Sequence, residues 1–246
     1  MVLSRYCIVQ YSSSAGGARA GRSGMTTESH DLELSALAQR RTALKRQQIT
    51  EAALSLFLRN GYGKTSMDQI AADAGVSKQT VYKQFSDKET LFQEIARGVT
   101  ANSDHILGEL ATVVDTPVGT TEDLRKVLQR LARRYLDAVM EPHVLSLRRL
   151  IIAEADQFPD LAHRYHQLGP ERGLDLIESA QRRWAEQGLI VAPDLRMAAS
   201  QFAYLSLGSS QDHAMFHPGQ TPKPAERARV AKAAASTFLA AYGRDR

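Results

Sequence analysis

The sequence predicts an all-α protein of about nine helices, with an N-terminal three-helix unit that contains a helix-turn-helix and a C-terminal helical bundle. Apolar residues recur at three- and four-residue spacing from Ala38 almost to the end of the chain, which is the helical period. Only short Gly, Pro and Ser interruptions break this pattern, and sustained alternation of β-branched residues is absent. Hydrophobic residues make up 43% of the chain, enough for a folded core and too many for a disordered protein.

Composition and charge narrow the class of protein. The 246 residues carry a formal net charge of +4, which fits one basic patch and argues against a protein that is basic everywhere. The single cysteine, Cys7, excludes an intrachain disulfide framework and a cysteine zinc site, which suits a reducing cytoplasm. No run of 18 apolar residues occurs, so the sequence predicts no membrane-spanning helix, no membrane partner and a cytoplasmic location.

Residues 1–37 are predicted to form a disordered N-terminal arm. Three arginines balance three acidic residues there, and the helical pattern starts only at Ala38. The apolar stretch around Tyr6 to Val9 is too short for the core of a signal peptide. Two interpretations of residues 1–24 stay open: they are a disordered tail, or translation begins at Met25.

The first helix is predicted to run from Leu37 to Asn60, and Gly61 ends it. Its apolar residues follow an i, i+3, i+4, i+7, i+8 spacing that places them on one face: Ile49, Ala52, Ala53, Leu56 and Phe57. Its N-terminal part carries cations that are candidate phosphate contacts beside a DNA-binding motif: Arg40, Arg41, Lys45 and Arg46.

Two short helices follow in quick succession. Ser66 starts a capping box that opens a helix from Met67 to Ala74. Gly75 permits a tight left-handed turn, and Ser77 caps a second helix from Lys78 to Phe85. A short helix, a glycine turn and a second short helix make the helix-turn-helix geometry.

Apolar residues are predicted to fill a small core behind this motif: Ile49, Phe57, Ile70, Ala71, Val76, Val81 and Phe85. A further capping box, formed by Ser86 and Glu89, is predicted to open a longer helix from Asp87.

The outward face of the second short helix is polar or cationic, with no acidic residue: Lys78, Gln79, Thr80, Tyr82 and Lys83. Glutamine can bind adenine in bidentate fashion and a threonine methyl can meet that of thymine, whereas tyrosine and lysine suit phosphate oxygens. Between Arg40 and Lys88, nine cationic side chains stand against four acidic ones, a net charge of +5. The basic charge is therefore concentrated here, and the segment is predicted to bind double-stranded DNA.

The run from Gly61 to Ala71 (GYGKTSMDQIA) and the run from Ala74 to Phe92 (AGVSKQTVYKQFSDKETLF) closely resemble the DNA-binding domain of TetR-family transcriptional regulators. The resemblance implies a DNA-binding domain over residues 38–92. It also implies a homodimer, most often a repressor, that binds an inverted-repeat operator and leaves it when a small ligand binds. Residue by residue it implies a phosphate contact at Thr65 and another at Lys88.

The candidate DNA-binding residues are those of the outward face and its neighbours: Arg46, Lys64, Thr65, Ser66, Lys78, Gln79, Thr80, Tyr82, Lys83 and Lys88. Many members of the family have Gly or Pro at position 79 and His at position 83 or 84. Gln79 and Lys83 therefore indicate an operator of different sequence.

Residues 93–246 are predicted to form a second helical domain. A long connector helix runs from Asp87 to about Val114, followed by helices over 121–140, 142–157, 160–187, 193–213 and 222–242. The run Leu147 to Ala155 (LRRLIIAEA), with Phe158 to Ala162 (FPDLA) and Gly169-Pro170 after it, resembles the C-terminal domain of the AcrR/AefR-like subgroup. That resemblance implies an apolar cavity for a small-molecule effector and dimerisation through the last two helices.

Large apolar and aromatic residues of this domain are the candidate ligand-binding residues: His105, Tyr135, Met140, Leu147, Ile151, Phe158, Tyr165, Trp184 and Phe202. Residues of the last two helices are the candidate dimer surface: Phe202, Leu205, Leu207, Val230, Ala233, Ala234, Phe238, Leu239 and Ala241. No cofactor or metal is predicted, and no catalytic residue.

Three alternatives stay open at this stage. The first is a transcriptional activator, which needs the same DNA-binding contacts as a repressor. The second is a metal-dependent enzyme, because His163 and His166 lie one turn apart near Asp160 and Glu154, although no Gly-rich phosphate loop or nucleophile turn accompanies them. The third is a ligand-binding or scaffold protein with a vestigial DNA-binding part, against which the basic surface and the capping residues argue.

Overall fold

The computed structural model describes residues 27–244, except for the side chains of residues 27–34, 36 and 96–102. The all-α prediction is confirmed, with ten α-helices over these residues. In chain order they are α1 Thr27–Asn60, α2 Met67–Asp73, α3 Lys78–Gln84, α4 Lys88–Val114, α5 Thr121–Val139, α6 Pro142–Ala153, α7 Pro159–His166, α8 Arg172–Glu186, α9 Leu195–Phe216 and α10 Pro224–Tyr242.

Helix α1 begins at Thr27, ten residues before the predicted start at Leu37. Residues 27–37 are therefore helical, and the prediction of a disordered arm was wrong for them; residues 1–26 lie outside the described part. The physical reason is that no Gly or Pro occurs between Met25 and Asn60, so nothing breaks the helix. Contacts among the described residues divide the chain into two units, with the boundary between Leu44 and Lys45.

The helix-turn-helix has the predicted caps. Ser66 accepts a hydrogen bond from the Gln69 backbone N–H, and the Gln69 side chain accepts one from the Ser66 backbone N–H, which completes the capping box of α2. Gly75 has a φ of 63°, the left-handed conformation expected of the turn. Ser77 caps α3 as predicted.

The start of α4 differs from the prediction by one residue. Asp87, rather than Ser86, is the N-cap, and its carboxylate accepts a hydrogen bond from the Thr90 backbone N–H. That hydrogen bond lowers the pKa of Asp87 below its ordinary value. A carboxylate is favoured there because it also faces the positive end of the helix dipole.

The predicted core of the motif is confirmed, with Val76 half-buried and the other six residues buried. This cluster also contains residues of α4, of α6 and of the start of α7: Leu91, Phe92, Ile95, Leu147, Leu150, Ile151, Phe158 and Leu161. The helix-turn-helix therefore shares one hydrophobic cluster with α6 and α7 of the C-terminal part.

A second hydrophobic cluster forms the centre of the C-terminal bundle. Helix α5 packs on α10, α9 and α4, and α8 packs on α9. The apolar side of α5 is buried because Leu124, Leu128, Leu131 and Leu136 recur at helical spacing, while arginines occupy the outer side of this helix.

The helix predicted over 160–187 is divided in the structure. Five residues, Gln167–Glu171, form a π-helical turn between α7 and α8. Pro170 lies inside it, and a proline interrupts the regular hydrogen-bond ladder because it has no N–H. Within the described residues, no helix is long and apolar enough to cross a membrane.

Candidate nucleic-acid interface and effector cavity

Four of the ten candidate DNA-binding residues are exposed and, among the described residues, form no side-chain hydrogen bond or ion pair: Lys64, Gln79, Tyr82 and Lys83. Gln79, Tyr82 and Lys83 project from α3, and Tyr82 is 52% exposed although it is a large aromatic. Lys64 is exposed in the turn between α1 and α2. Buried Val81 and Phe85 anchor the opposite side of α3, so these polar residues share the outward face.

Three further candidates are exposed or half-exposed but already hold the motif together. Lys78 forms an ion pair with Asp68 of α2 at an Nζ–Oδ2 distance of 2.6 Å. The Thr80 hydroxyl lies 2.8 Å from that of Ser77, and the Ser66 side chain belongs to the capping box. A phosphate would compete with Asp68 for Lys78, since both partners of that pair are exposed to solvent.

Thr65 differs from these candidates because its side chain is buried. It is only 2% exposed, and its hydroxyl donates a 2.9 Å hydrogen bond to the Gly61 carbonyl. In the structure this hydroxyl stabilises the turn between α1 and α2, and the phosphate contact implied by the family resemblance stays a prediction.

Lys88 is directed at the same turn. Its Nζ donates 2.9 Å hydrogen bonds to the carbonyls of Tyr62 and Thr65 and lies 4.2 Å from the centre of the Tyr62 ring. An ammonium group has three donors, so one remains for a phosphate. Burial, followed by the nearby Glu89 and Asp87 carboxylates, raises the pKa of Tyr62, and its hydroxyl stays neutral.

Arg46, on α1, stabilises the helix-turn-helix through contacts with α3 and α4. Its guanidinium pairs with Glu94 of α4 at 3.1 Å, donates a hydrogen bond to the Gln84 carbonyl and lies 4.3 Å over the Phe85 ring. These contacts hold α1, α4 and the end of α3 together, so the side chain predicted to contact phosphate has a structural role here.

A cavity of about 150 Å³ lies within the C-terminal bundle, between α4, α5, α6, α7, α8 and α9. Three of the nine candidate ligand-binding residues line it: Tyr135, Leu147 and Tyr165. Its apolar wall includes Ile106, Leu107, Leu110, Val139, Val144, Leu174 and Leu207. Its polar groups come from Ser103, Arg148, His166, Tyr204 and Gln211, besides the two tyrosines.

The other six candidates are not among the residues that line this cavity. Met140, Trp184 and Phe202 are buried in the core of the bundle, where Phe202 packs against Phe238 at a ring distance of 5.4 Å. Ile151 and Phe158 belong to the cluster behind the helix-turn-helix. The His105 side chain is 71% exposed and faces Glu109, because it lies on the outer side of α4.

Sequence reasoning missed Arg148, Tyr204 and Gln211. Large apolar residues were favoured as ligand contacts, yet most of these form ordinary core. Helical spacing could have indicated Arg148. It follows Val144 by four residues, so the two residues lie on the same side of α6, and both line the cavity.

The structure assigns the two histidines of the alternative metal site to other contacts. His163 lies 2.8 Å from the Gln167 side chain, and His166 faces Glu171 at 3.5 Å. Over the part of the chain that the structure describes, no three His, Cys, Asp or Glu side chains are grouped so that they could hold a metal ion.

Comparisons with known proteins agree with this architecture. Residues 49–95 match the family model of bacterial regulatory proteins of the tetR family, and residues 126–244 match that of the C-terminal domain of AefR-like transcriptional repressors. The chain is 29% identical over 196 residues to the HTH-type transcriptional regulator SrpR of Pseudomonas putida, which covers 79% of this chain and 84% of that protein.

Solved structures extend the likeness. A TetR-family transcriptional regulator from Mesorhizobium loti is 38% identical, with a TM-score of 0.73 over 83% of this chain and 99% of that one. The flavonoid-responsive regulator FrrA is 27% identical, with a TM-score of 0.63 over 83% of this chain and all of that one. With a helix-turn-helix of this geometry joined to a cavity-bearing bundle, the chain belongs to the TetR family of DNA-binding transcriptional regulators and has an AefR-like C-terminal domain.

Proposed function

We propose that the protein is a homodimeric repressor that binds an inverted-repeat operator in the cytoplasm and leaves it when a small apolar or amphipathic ligand enters the bundle cavity. Gln79 is the base-reading residue of α3, while Tyr82, Lys83 and Lys64 contact phosphates. All four are exposed; Gln79, Tyr82 and Lys83 lie on α3, whose other side is anchored in the core, and Lys64 lies in the turn before α2.

One observation carries the ligand-responsive part of this proposal. Leu147 and Tyr165 line the cavity, and both also pack in the hydrophobic cluster behind the helix-turn-helix. A ligand that moves these side chains therefore moves residues in contact with the DNA-binding core. Cores are close-packed, so such a displacement is transmitted rather than absorbed.

The cavity is small for an effector site. Its volume of about 150 Å³ lies below the roughly 300–1,000 Å³ typical of ligand pockets. A ligand larger than one ring must push the walls apart, and α6 and α7 are the walls that connect to the helix-turn-helix. FrrA is a flavonoid-responsive regulator, which supports a small organic effector for this chain as well.

The proposed dimer surface is the outer side of α9. Met197 and Leu205 are 53% and 41% exposed, which leaves apolar surface uncovered on this helix. Most of the residues first predicted for this role are buried within the chain, among them Phe202, Phe238 and Leu239, because α9 and α10 pack on each other and on α5.

Titrating the protein into a labelled duplex from its own upstream region, and following anisotropy, tests the DNA-binding part. We expect a tight complex that dissociates when aromatic, cationic or acyl compounds are added, with the same compounds raising the melting temperature. Stabilisation by none of these classes contradicts an effector cavity.

Sedimentation at micromolar concentration tests the dimer. A dimer places its two recognition helices roughly 34–36 Å apart, which matches successive major grooves. We expect a dimer for the native chain and a monomer with weak DNA binding for Leu205→Arg, whereas Ile152→Arg, an exposed apolar residue of α6, serves as the control. A monomer that binds DNA tightly refutes the dimer model.

A further inference from the structure

The polar groups of the cavity include a cation and lack an acid. Arg148 of α6 is half-buried and lines the cavity, and none of the lining residues is Asp or Glu. The other polar groups of the lining are hydroxyls, the Gln211 amide and the His166 imidazole, so Arg148 supplies the permanent charge of this lining.

Arg148 differs from the other arginines of the bundle that lie near the cavity. Arg172 pairs with Asp104, and Arg196 pairs with Glu171 and Asp175. Arg149, its neighbour in sequence, donates to the Ala214 carbonyl and to Ser146. Within the described part of the chain, no carboxylate forms an ion pair with Arg148, although a half-buried guanidinium is normally paired.

Three tyrosines line the cavity together with this cation: Tyr135, Tyr165 and Tyr204. Burial raises the pKa of both Tyr135 and Tyr165, and the positive charge of Arg148, which also forms a side-chain hydrogen bond with Tyr165, partly offsets that rise. Burial raises the pKa of Tyr135 to about 12, which keeps its hydroxyl protonated and able to donate a hydrogen bond.

The Tyr135 hydroxyl lies close to the backbone of α8. Gly173, in the first turn of α8, has no side chain, and a Cβ there would lie 3.1 Å from the Tyr135 hydroxyl oxygen. The π-helical turn just before it brings Gly169 and Pro170 to the same wall. Such turns recur at functional sites because they re-aim neighbouring residues.

We propose that the effector is an amphipathic anion, an acidic group on a compact apolar skeleton, whose carboxylate or equivalent oxygens bind the Arg148 guanidinium and the surrounding tyrosine hydroxyls. This inference rests on the proposed function, because it concerns the same cavity and adds the charge of its ligand. The ligand supplies the anionic partner that no carboxylate of the described residues gives Arg148, whose side-chain hydrogen bond is with the neutral Tyr165 hydroxyl. Charge-assisted hydrogen bonds are about twice as strong as neutral ones.

The test uses the full-length protein and three probes with one skeleton and different head groups: 4-phenylbutanoate, 4-phenylbutan-1-ol and 4-phenylbutan-1-amine. Calorimetry and thermal shift measure their binding. We expect the carboxylate to bind about tenfold or more tightly than the amine, since a hydrogen bond to a charged group is worth about 1.5–3 kcal/mol.

Replacement of the cation tests the assignment directly. In Arg148→Met we expect the affinity for the carboxylate to fall about tenfold or more, while that for the alcohol changes by less than about threefold. Arg148→Gln is a second variant that keeps a polar side chain should the methionine variant not fold. Arg130→Met, on the exposed outer side of α5, makes the same change in net charge away from the cavity and should leave all three affinities unaltered.

The outcomes separate this inference from the proposed function. Equal binding of the three probes, or an unchanged preference in both Arg148 variants, overturns the anionic effector and leaves the effector cavity standing. Binding by none of the probes overturns the anionic effector and also counts against the cavity as an effector site. The DNA titration without ligand reports separately on the helix-turn-helix.

Discussion

At the scale of single residues, solvent exposure and hydrogen bonding divide the candidates into two groups. Side chains of the first group are free to contact DNA, and those of the second group stabilise the helix-turn-helix. Gln79 and Lys83 are exposed on α3. Thr65 is buried in the turn before α2, and the hydrogen bonds of Lys88 fix that same turn. Loss of a residue of the first kind should change DNA binding with little effect on folding, whereas loss of the second kind should change both.

The role of Gln79 predicts a change in base preference. Gln79→Ala should lower the discrimination at one base pair of each half-site by about 1–3 kcal/mol, because the bidentate contact is lost. Competition binding with operator variants measures this. Lys83→Ala is the matched control: it should weaken binding to all sequences alike and reduce the salt dependence. Unchanged base preference in Gln79→Ala would falsify the role assigned to it.

The raised pKa of Tyr135 predicts a specific alkaline instability. Between pH 10 and about 12 the unfolded chain loses this proton while the folded chain keeps it, so the free energy of unfolding falls as pH rises through that window. The contribution is about 2–3 kcal/mol, from 1.36 kcal/mol per pKa unit, and below pH 10 it is absent.

Urea unfolding at pH 8 and pH 11.5 measures this effect. Tyr135→Phe should lose less stability between the two pH values than the native chain, and Tyr82→Phe, at an exposed position, should lose as much as the native chain. Parallel losses in all three proteins would show that Tyr135 ionises normally.

At the scale of elements, caps and turns decide where the short helices begin and end. The capping box at Ser66 and the cap at Ser77 leave α2 and α3 only seven residues each, and neither is long enough to be stable alone. Their stability comes from the caps, from Gly75 between them and from the core behind them.

The left-handed turn at Gly75 predicts that a side chain at this position lowers stability. Its φ is 63°, and a Cβ there would meet no atom within 4 Å, so the cost of Gly75→Ala is confined to the backbone. We expect the free energy of unfolding to fall by about 1–2 kcal/mol, measured by urea unfolding.

Gly63→Ala is the matched control for that change. Gly63 also has open space around its Cα but no positive φ, so the alanine should be neutral or slightly stabilising. Equal effects of the two substitutions would contradict a left-handed requirement at Gly75.

At the scale of the whole molecule, one hydrophobic cluster joins the helix-turn-helix to α6 and α7. Its aromatic part comprises Phe57, Tyr62, Phe92 and Phe158, with ring centres 4.9–5.5 Å apart. Phe158 lies just before α7, whose Tyr165 reaches the cavity. In the proposed mechanism, these rings are the physical connection through which a ligand acts on the DNA-binding surface.

This connection predicts a variant that binds DNA but responds poorly to ligand. Phe158→Leu should lower stability by about 1–2 kcal/mol, keep DNA binding, and reduce the loss of DNA affinity caused by the ligand. Anisotropy with and without the bound probe measures the response. Phe238→Leu, a buried ring in the bundle core, should cost similar stability without weakening the response; an equal weakening would mean that general softening is responsible.

The sequence by itself determined the all-α class, the two caps, the glycine turn and the outward face of α3, because each depends on residues within a few positions of one another. Only the tertiary structure decided which large residues form the cavity. Periodicity marks Met140, Trp184 and Phe202 as apolar without saying whether they face other side chains or an empty space. The same holds for Arg46, Thr65 and Arg148, whose roles depend on partners or gaps contributed by distant parts of the chain, and that information is absent from local spacing.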